Sequence, residues 1–573
     1  MEDARHFPRK NDSILIIVLL TLLTFLTQYV FRYVDDNTLT SWQWTFSGLD
    51  ASRIFFLLLA GITASYLLSR YSFPEKNPVI FLFLASFVFG ALYWQEPEVI
   101  LDTSRYFTQA KHLETYGIGY FWAEWGKDIN VWTDLPLVPF LYGLIFKFFG
   151  ESRLYIQIFT TFLFSMTAIF TYLIGQMLWD SDTGFYGGIL LLAIPFLFTQ
   201  APLMLVDVPT MFFLTFAIFA FIMALSKGGS WIVISSLAIF LAVFSKYSTW
   251  LMLSVLVVVL LVYLIQSYKP ETQKPKIGTR SCLYRGALIA LLSALVTGII
   301  IIYKLDVISG QLSLLNEYQK PGLRRWGESF ISTFLFQVHP FVTTAALCSV
   351  YAAIKKRDLK YLIILWLVLL IFVLQITRAR YILITFPMFT LMASYGLQMI
   401  TNREVKRFIV FCAIFSSLIV AGFSYLPFLK NMSPANLKNA GAFLSAINTD
   451  SVKVYTLPAK ETLVNPAIAV PVLDLFTDKA VHYEYDRGHL PLFNDIKESS
   501  VRFTWEFTNP LYYASNSNTV RDKAVVVISN SSDDKIPENI EKGIEGYKIT
   551  GKFMSSAGNF LYNPMVTVYQ LRD

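Results

Sequence analysis

The chain has 573 residues, 55% hydrophobic and only 15% charged, with a mean hydropathy of +0.51. Soluble globular domains carry about 25% charged residues, so this composition excludes one and points to a polytopic membrane protein. The net charge of +7 would suit a nucleic-acid partner, but the Lys and Arg residues cluster in short loops between apolar runs, where they serve as topology signals instead.

From the N-terminus, Arg5, Arg9 and Lys10 precede an apolar run that begins at Ile14. No small-residue cleavage site follows, so the run reads as an uncleaved first span. Further segments long enough to cross a bilayer fall at about 51–69, 78–95, 153–178, 184–203, 208–226, 231–245, 249–266, 286–304, 331–354, 361–377, 382–400 and 408–428, about thirteen with the first at about 14–34. Loop charge sets their register. With the N-terminus cytoplasmic, the stretches 269–285, 355–360 and 403–407 are inner loops rich in Lys and Arg, while 35–50 is an outer loop with neither. The run 135–149, interrupted by Pro136 and Pro139, reads as a helix lying in the outer interface.

After Leu426 charge rises, and β-branched or alternating runs appear at 452–456, 524–529, 547–553 and 566–571, with helical patterns at 435–447 and 466–476. The fold class expected is therefore a polytopic α-helical membrane protein with a C-terminal extracytoplasmic α/β domain. Its parts are a two-span N-terminal extension (1–77), a transmembrane core (78–430) with a first outer loop at 96–152, and the outer domain (431–573). The three cysteines, Cys282, Cys348 and Cys412, have no paired spacing and imply neither a disulfide framework nor a zinc site.

Several charged residues surface on the outer side. Asp102 opens a helix that also carries Arg105 and Tyr106, and it is either a helix cap or a reactive acid. Asp207 stands among apolar residues in APLMLVDVPTMFF, where an acid costs roughly 2.5 to 3.5 kcal/mol to insert and usually faces a polar cavity; capping is its other reading. Lys246 lies at an outer turn, snorkelling or binding an anion. Arg378, Arg380 and Tyr381 occupy an outer loop against the positive-inside bias, so anion binding explains them better than topology does. The outer loop 305–330 adds Arg324 and Arg325, and His339 follows; without a second histidine at metal-ligand spacing it reads as a structural or hydrogen-bonding histidine. Asp180-Ser181-Asp182 resembles a nucleotide-sugar motif but falls in an inner turn and reads as a solvated loop.

The order DTSRYFTQAKHL, PLVPFLYGLIFKFFGESRLYIQIFT, LMLVDVPTMFF, FSKYSTWL, FQVHPF and RARYILITFPMF resembles the polyprenyl-phosphate-dependent glycosyltransferases of the GT-C fold. The protein O-mannosyltransferases and the bacterial transferases that add aminoarabinose to lipid A are the most similar groups. The chain departs from them in carrying Thr103 where a second acid is frequent, and in reading Thr133-Asp134-Leu135-Pro136 where the aminoarabinose transferases carry a lysine. The resemblance implies a membrane mannosyltransferase-like enzyme that takes a sugar from a polyprenyl- or dolichyl-phosphate donor and passes it to a glycan, lipid or protein acceptor. It implies catalytic roles for Asp102 and Asp207, donor-phosphate contacts for Arg378, Arg380, Tyr381 and Lys246, and substrate contacts for Arg105, Tyr106, Arg324, Arg325 and His339. No cofactor is implied beyond the lipid-linked donor, although Asp207 is compatible with a bound divalent cation. A transporter or flippase of a lipid-linked or anionic substrate is the alternative class, against which stands the lack of an internal repeat.

Overall fold

The computed structural model describes residues 10–572 except 36–41, 72–75, 269–277, 321–327, 458–463, 485–495, 497–498, 500, 515–522, 532–533 and 556–561. It is a helical bundle with a small sheet domain at its C-terminal end. Seven helices among the described residues are long and apolar enough to cross a membrane, or eight if the bent pair Phe330–Gln337 and Pro340–Lys356 is one span.

The helices used below are α1 (Lys10–Phe31), α2 (Ala51–Ser69), α3 (Pro78–Ala91), α4 (Ile100–Glu124), α5 (Leu137–Phe149), α6 (Arg153–Leu178), α7 (Ser181–Ile189), α8 (Pro195–Gln200), α9 (Asp207–Lys227) and α10 (Ser230–Ser245). Of these, α9 is the hub: 89% of its most apolar window is buried inside the protein, against 22% for α1 and α2, whose leucines face outward. A helix apolar all round is one that packs on every side, whereas an outward apolar face suits lipid.

Proline explains where continuous segments break. The expected segment 184–203 is divided into α7, a short 3-10 turn and α8, and Pro195 sits at the start of α8. The segment 331–354 bends by 117° at His339-Pro340. A proline lacks the N–H needed to continue the ladder and pushes the preceding residue toward extended backbone, which is what His339 (φ −70°, ψ 130°) adopts. The run 135–149 forms the 13-residue helix α5, shorter than the bilayer core requires. Asp180 is exposed and caps α7 by accepting from the Thr183 N–H at 2.7 Å, a structural role for the Asp-Ser-Asp triplet.

The C-terminal part builds a five-stranded sheet from β1 (Ser451–Thr456), β2 (Ala480–Tyr483), β3 (Ala524–Ser529), β4 (Tyr547–Phe553) and β5 (Met565–Leu571), in the order β2-β1-β3-β5-β4. β1 pairs in parallel with β2 and β3, and β5 runs antiparallel between β3 and β4. Four of the strands match runs read from the sequence. β2 escaped because AVHY is only four residues long and borders Asp478 and Lys479. Central β3 is buried on both faces, so AVVVI is continuous rather than alternating. The helices Pro434–Ser445 and Ala469–Leu475 contribute apolar side chains to the core of this sheet.

The two parts are packed together along α4. Ile100 and Leu101 join the apolar core of the sheet domain, while Leu475 joins Tyr106, Phe107 and Val138 on the opposite side. Lys111 on α4 pairs with Asp474 at 2.6 Å and Glu151 at 3.0 Å, and Tyr513 donates to Asp474 at 2.7 Å. The sheet domain is therefore fixed on the helix that carries Asp102.

Candidate active site

Helix α4 places Asp102, Arg105, Tyr106 and Gln109 at i, i+3, i+4 and i+7, which puts them on one face. Asp102 makes no cap hydrogen bond; the N-terminus of α4 is at Val99. Its carboxylate instead meets the Arg380 guanidinium, with Arg105 at 3.5 Å on the other oxygen. Asp207, the first residue of α9, likewise makes no cap bond. One of its oxygens takes Arg380 Nε at 2.5 Å and the other takes Lys246 Nζ at 2.5 Å. A single guanidinium thus bridges two acids that are 105 positions apart in the chain.

This cluster is shielded. The side chains of Asp207, Arg380 and Asp102 are 1%, 12% and 19% exposed, so the bridge lies in a medium where charges interact strongly. Burial alone would raise the Asp102 carboxyl; Arg380, then Arg105 and Arg378, outweigh it and hold the group well below the usual carboxylate range. Asp102 is ionised at any physiological pH.

Arg105 has a further partner that the sequence reading passed over. Its Nε lies 2.5 Å from Asp134, which also accepts from Gln109 Nε2 at 3.3 Å. Burial pushes the Asp134 carboxyl up, against the pull of Arg105. The signal was present in Thr133-Asp134-Leu135-Pro136, a loop acid between Trp132 and a proline, but nothing local in the sequence ties it to α4. Glu328 is a second such residue: it accepts from the Ala379 N–H at 2.5 Å and lies 3.8 Å from Arg378. Arg378 also donates to the Tyr381 hydroxyl at 3.1 Å, and Lys246 lies 4.9 Å from the Tyr381 ring centre.

Apart from Asp207 and Gln109, which stand behind its lining, these groups line one cavity of about 530 Å³, large enough for a drug-sized ligand and walled by both the bundle and the sheet domain. Asp102, Arg105, Tyr106, Lys246, Arg378, Arg380 and Tyr381 are brought together there. From the sheet domain comes Phe503, 6.0 Å from Trp132 and 4.9 Å from the Arg105 guanidinium. Asp207 holds the cavity wall through Lys246 and Arg380, with one cationic donor on each carboxylate oxygen. Among the described residues no group of three or more His, Cys, Asp or Glu side chains is arranged to hold a metal ion.

One expected substrate contact does not line the cavity. His339 is fully buried at the 117° bend, where its Nδ1 accepts from the Phe341 N–H at 3.1 Å and its Nε2 meets the Ser416 hydroxyl at 2.7 Å. It caps a helix and ties it to a neighbour, and it is not among the residues lining the cavity; Pro340 placed it there by ending the preceding turn. Arg324 and Arg325 lie outside the described residues.

Comparison with known proteins agrees with the architecture. A family model described as dolichyl-phosphate-mannose-protein mannosyltransferase matches residues 134–300. ArnT from Cupriavidus metallidurans bound to undecaprenyl phosphate is similar over 86% of this chain and 98% of that one, with a TM-score of 0.50 at 11% identity. The apo form of the same protein gives a TM-score of 0.47 at 11% identity over 85% and 97% of the two chains. AglB from Archaeoglobus fulgidus, in complex with an inhibitory peptide and a dolichol-phosphate, gives 0.45 at 12% identity over 80% and 70%. No curated protein sequence matches the chain. At this identity the likeness to ArnT shows a shared fold, the membrane-embedded GT-C architecture.

Proposed function

We propose that the protein transfers a sugar from a polyprenyl- or dolichyl-phosphate donor to an acceptor hydroxyl, with inversion, at the outer face of the membrane. The observation that carries this reading is the Asp102–Arg380–Asp207 bridge on the wall of the 530 Å³ cavity. The family model and the fold of ArnT support it.

The chemistry follows from the charges. The acceptor oxygen attacks the anomeric carbon, the bond from that carbon to the phosphate oxygen breaks, and the leaving phosphate gains one negative charge as it departs with the bonding electrons. Arg380, Arg378 and Lys246 supply fixed positive charge where that negative charge develops, so the leaving group needs no proton. The acceptor proton passes to Asp102. In the resting site Arg380 holds Asp102 tightly, which makes the carboxylate a poor base; an incoming phosphate competes for the same guanidinium and frees it. Asp207 keeps Arg380 and Lys246 in place throughout. Trp132, Tyr318 and Phe503 offer aromatic surface to the sugars.

The same reading takes the thirteen segments as membrane crossings, the N-terminus as cytoplasmic, residues 1–77 as an extension of the common core, and residues 431–573 as an extracytoplasmic domain of a multi-pass cell-membrane protein. Basic inner loops support that register. Mannose is the sugar suggested by the family model, and the acceptor is a glycan, lipid or protein hydroxyl.

The test is release of polyprenyl phosphate from polyprenyl-phosphate sugars by purified protein in lipid, with cell-surface extract as acceptor. Wild-type turnover together with a folded, inactive Asp102→Asn variant is the expected result, since general-base assistance contributes about 100- to 10,000-fold. Equal turnover by the two would overturn the mechanism.

A further inference from the structure

The cavity lining also carries polar side chains that the bridge chemistry does not use. Glu96, Gln200 and Gln337 all line it, and they are 2%, 6% and 1% exposed. Each presents a side-chain oxygen, Glu96 Oε2, Gln200 Oε1 and Gln337 Oε1, with no hydrogen-bond partner among the described residues. Buried oxygens left unpaired cost about 1 to 3 kcal/mol apiece, and native proteins rarely hold three on one cavity without something to satisfy them.

The orientation of both amides is fixed. Gln337 Nε2 donates to the Asp35 carboxylate at 3.2 Å, so its oxygen is the free end. Gln200 Nε2 donates to the Thr199 hydroxyl at 3.2 Å, and that hydroxyl already gives its proton to the Phe196 carbonyl at 2.8 Å, so it must accept from Gln200. Trp42 lines the same cavity, held by Phe196, Tyr425 and Phe428 at ring distances of 5.9, 5.3 and 6.1 Å. The four residues come from separate stretches: the segment between α1 and α2, the segment before α4, α8, and the turn that ends at the 117° bend.

We propose that Glu96, Gln200, Gln337 and Trp42 form a saccharide subsite that reads the hydroxyls of a sugar ring, an inference that rests on the sugar-transfer reading above. A phosphate brings only acceptors and would meet the two amide oxygens unfavourably. Sugar hydroxyls both donate and accept. Burial raises the Glu96 carboxyl well above its usual range, against the pull of Arg153, so this group offers a proton to the ring while the amides receive two. An apolar aromatic wall beside a few convergent polar groups is the usual composition of a specific small-ligand site. The subsite adjoins the reaction centre in sequence on two sides: Glu96 precedes Asp102 on the same approach to α4, and Gln200 precedes Asp207 on the approach to α9. Trp42 lies in the N-terminal extension, which gives that extension a part in choosing the sugar.

The ring can belong to the donor or to the acceptor, and one set of measurements separates them. Protein in lipid nanodiscs is titrated with bare polyprenyl phosphate and with polyprenyl-phosphate mannose, glucose and galactose, for wild type, Gln200→Leu, Gln337→Leu and Gln200→Glu, which keeps an acceptor oxygen. For a donor subsite, at least one sugar-bearing lipid binds the leucine variants about 5- to 100-fold more weakly, Gln200→Glu recovers most of the loss, and bare polyprenyl phosphate binds all four alike. For an acceptor subsite, donor affinities stay level and the KM for cell-surface glycan rises by a similar factor. Thermal unfolding and bare-lipid binding certify each variant, and Gln200→Met replaces a leucine variant that fails either check. Sugar-bearing lipids and acceptor that respond to neither glutamine, in certified variants, overturn the subsite. Sugar-dependent binding through the glutamines without transfer leaves the subsite standing and removes the transferase reading; transfer that is indifferent to the glutamines does the reverse.

Discussion

Replacing Arg380 by glutamine tests the centre of the site most sharply, because that one side chain serves two acids at once. The variant leaves Asp207 with Lys246 at 2.5 Å and Asp102 with Arg105 at 3.5 Å, so neither carboxylate is stranded alone. Removing one partner from a buried ion pair costs about 3 to 5 kcal/mol, and the two surviving cations place this case at the lower end, about 3 kcal/mol. The catalytic loss is separate: withdrawing a preorganised positive charge from the developing phosphate lowers kcat by about 100- to 1,000-fold. Denaturant unfolding in detergent reads the first quantity and single-turnover sugar transfer reads the second. Arg380→Lys keeps the charge but not the fork that reaches both carboxylates, so it should recover part of the stability while transfer stays at least about tenfold down. Combining Arg380→Gln with Asp102→Asn removes one of the carboxylates the guanidinium neutralised, and the stability losses should then fall short of additive. An Arg380→Gln protein that unfolds like wild type and transfers sugar within about threefold of it would refute the reasoning.

The acid limb of kcat/KM, which reports the free enzyme, should show no loss from Asp102 protonation above about pH 4, because Arg380, Arg105 and Arg378 hold the group below the usual carboxylate value near 3.9. Arg105→Gln should move that limb upward, and a pH–rate profile of the two proteins checks it. Glu151 behaves oppositely: burial, then Asp474, pushes its carboxyl up to about 7 despite Lys111. It binds its proton more tightly folded than unfolded, where about 4.3 is usual, so its contribution to stability is full below about pH 4 and is lost as pH rises through about 7. Glu151→Gln should therefore flatten the decline of Tm between pH 5 and 8 and be the more stable protein at pH 8. His339→Ala removes a cap and the contact to Ser416, and should cost about 1 to 3 kcal/mol of stability while kcat per folded molecule is unchanged; a fall in kcat with intact stability would restore His339 to the substrate site.

How much of this was legible beforehand depended on the range of the interaction involved. The sheet strands at 524–529 and 547–553 coincide with the runs of β-branched and apolar residues that named them, because strand formation depends on local pattern. Asp102, Asp207, Lys246, Arg378 and Arg380, with Tyr381 beside them, were visible because a charge flanked by apolar segments is conspicuous by itself. Asp134 and Glu328 were not, since each is an ordinary loop acid until folding brings it against Arg105 or Arg378. His339 reads from the sequence as a structural or hydrogen-bonding histidine, with substrate contact implied only by the resemblance, and at the proline bend it caps a helix and meets Ser416 in the bundle.

Hydropathy and charge spacing act within a segment, and so the sequence alone determined that this is a membrane-embedded helical protein ending in a strand-bearing domain, with acids and bases at the ends of its spans. Which acid meets which base is decided by how the segments pack. Arg380 reaches Asp102 across 278 positions and Asp207 across 173, and no periodicity carries information over such distances. Only the folded bundle, by excluding water from those groups, makes their pairing obligatory and turns scattered charges into one site.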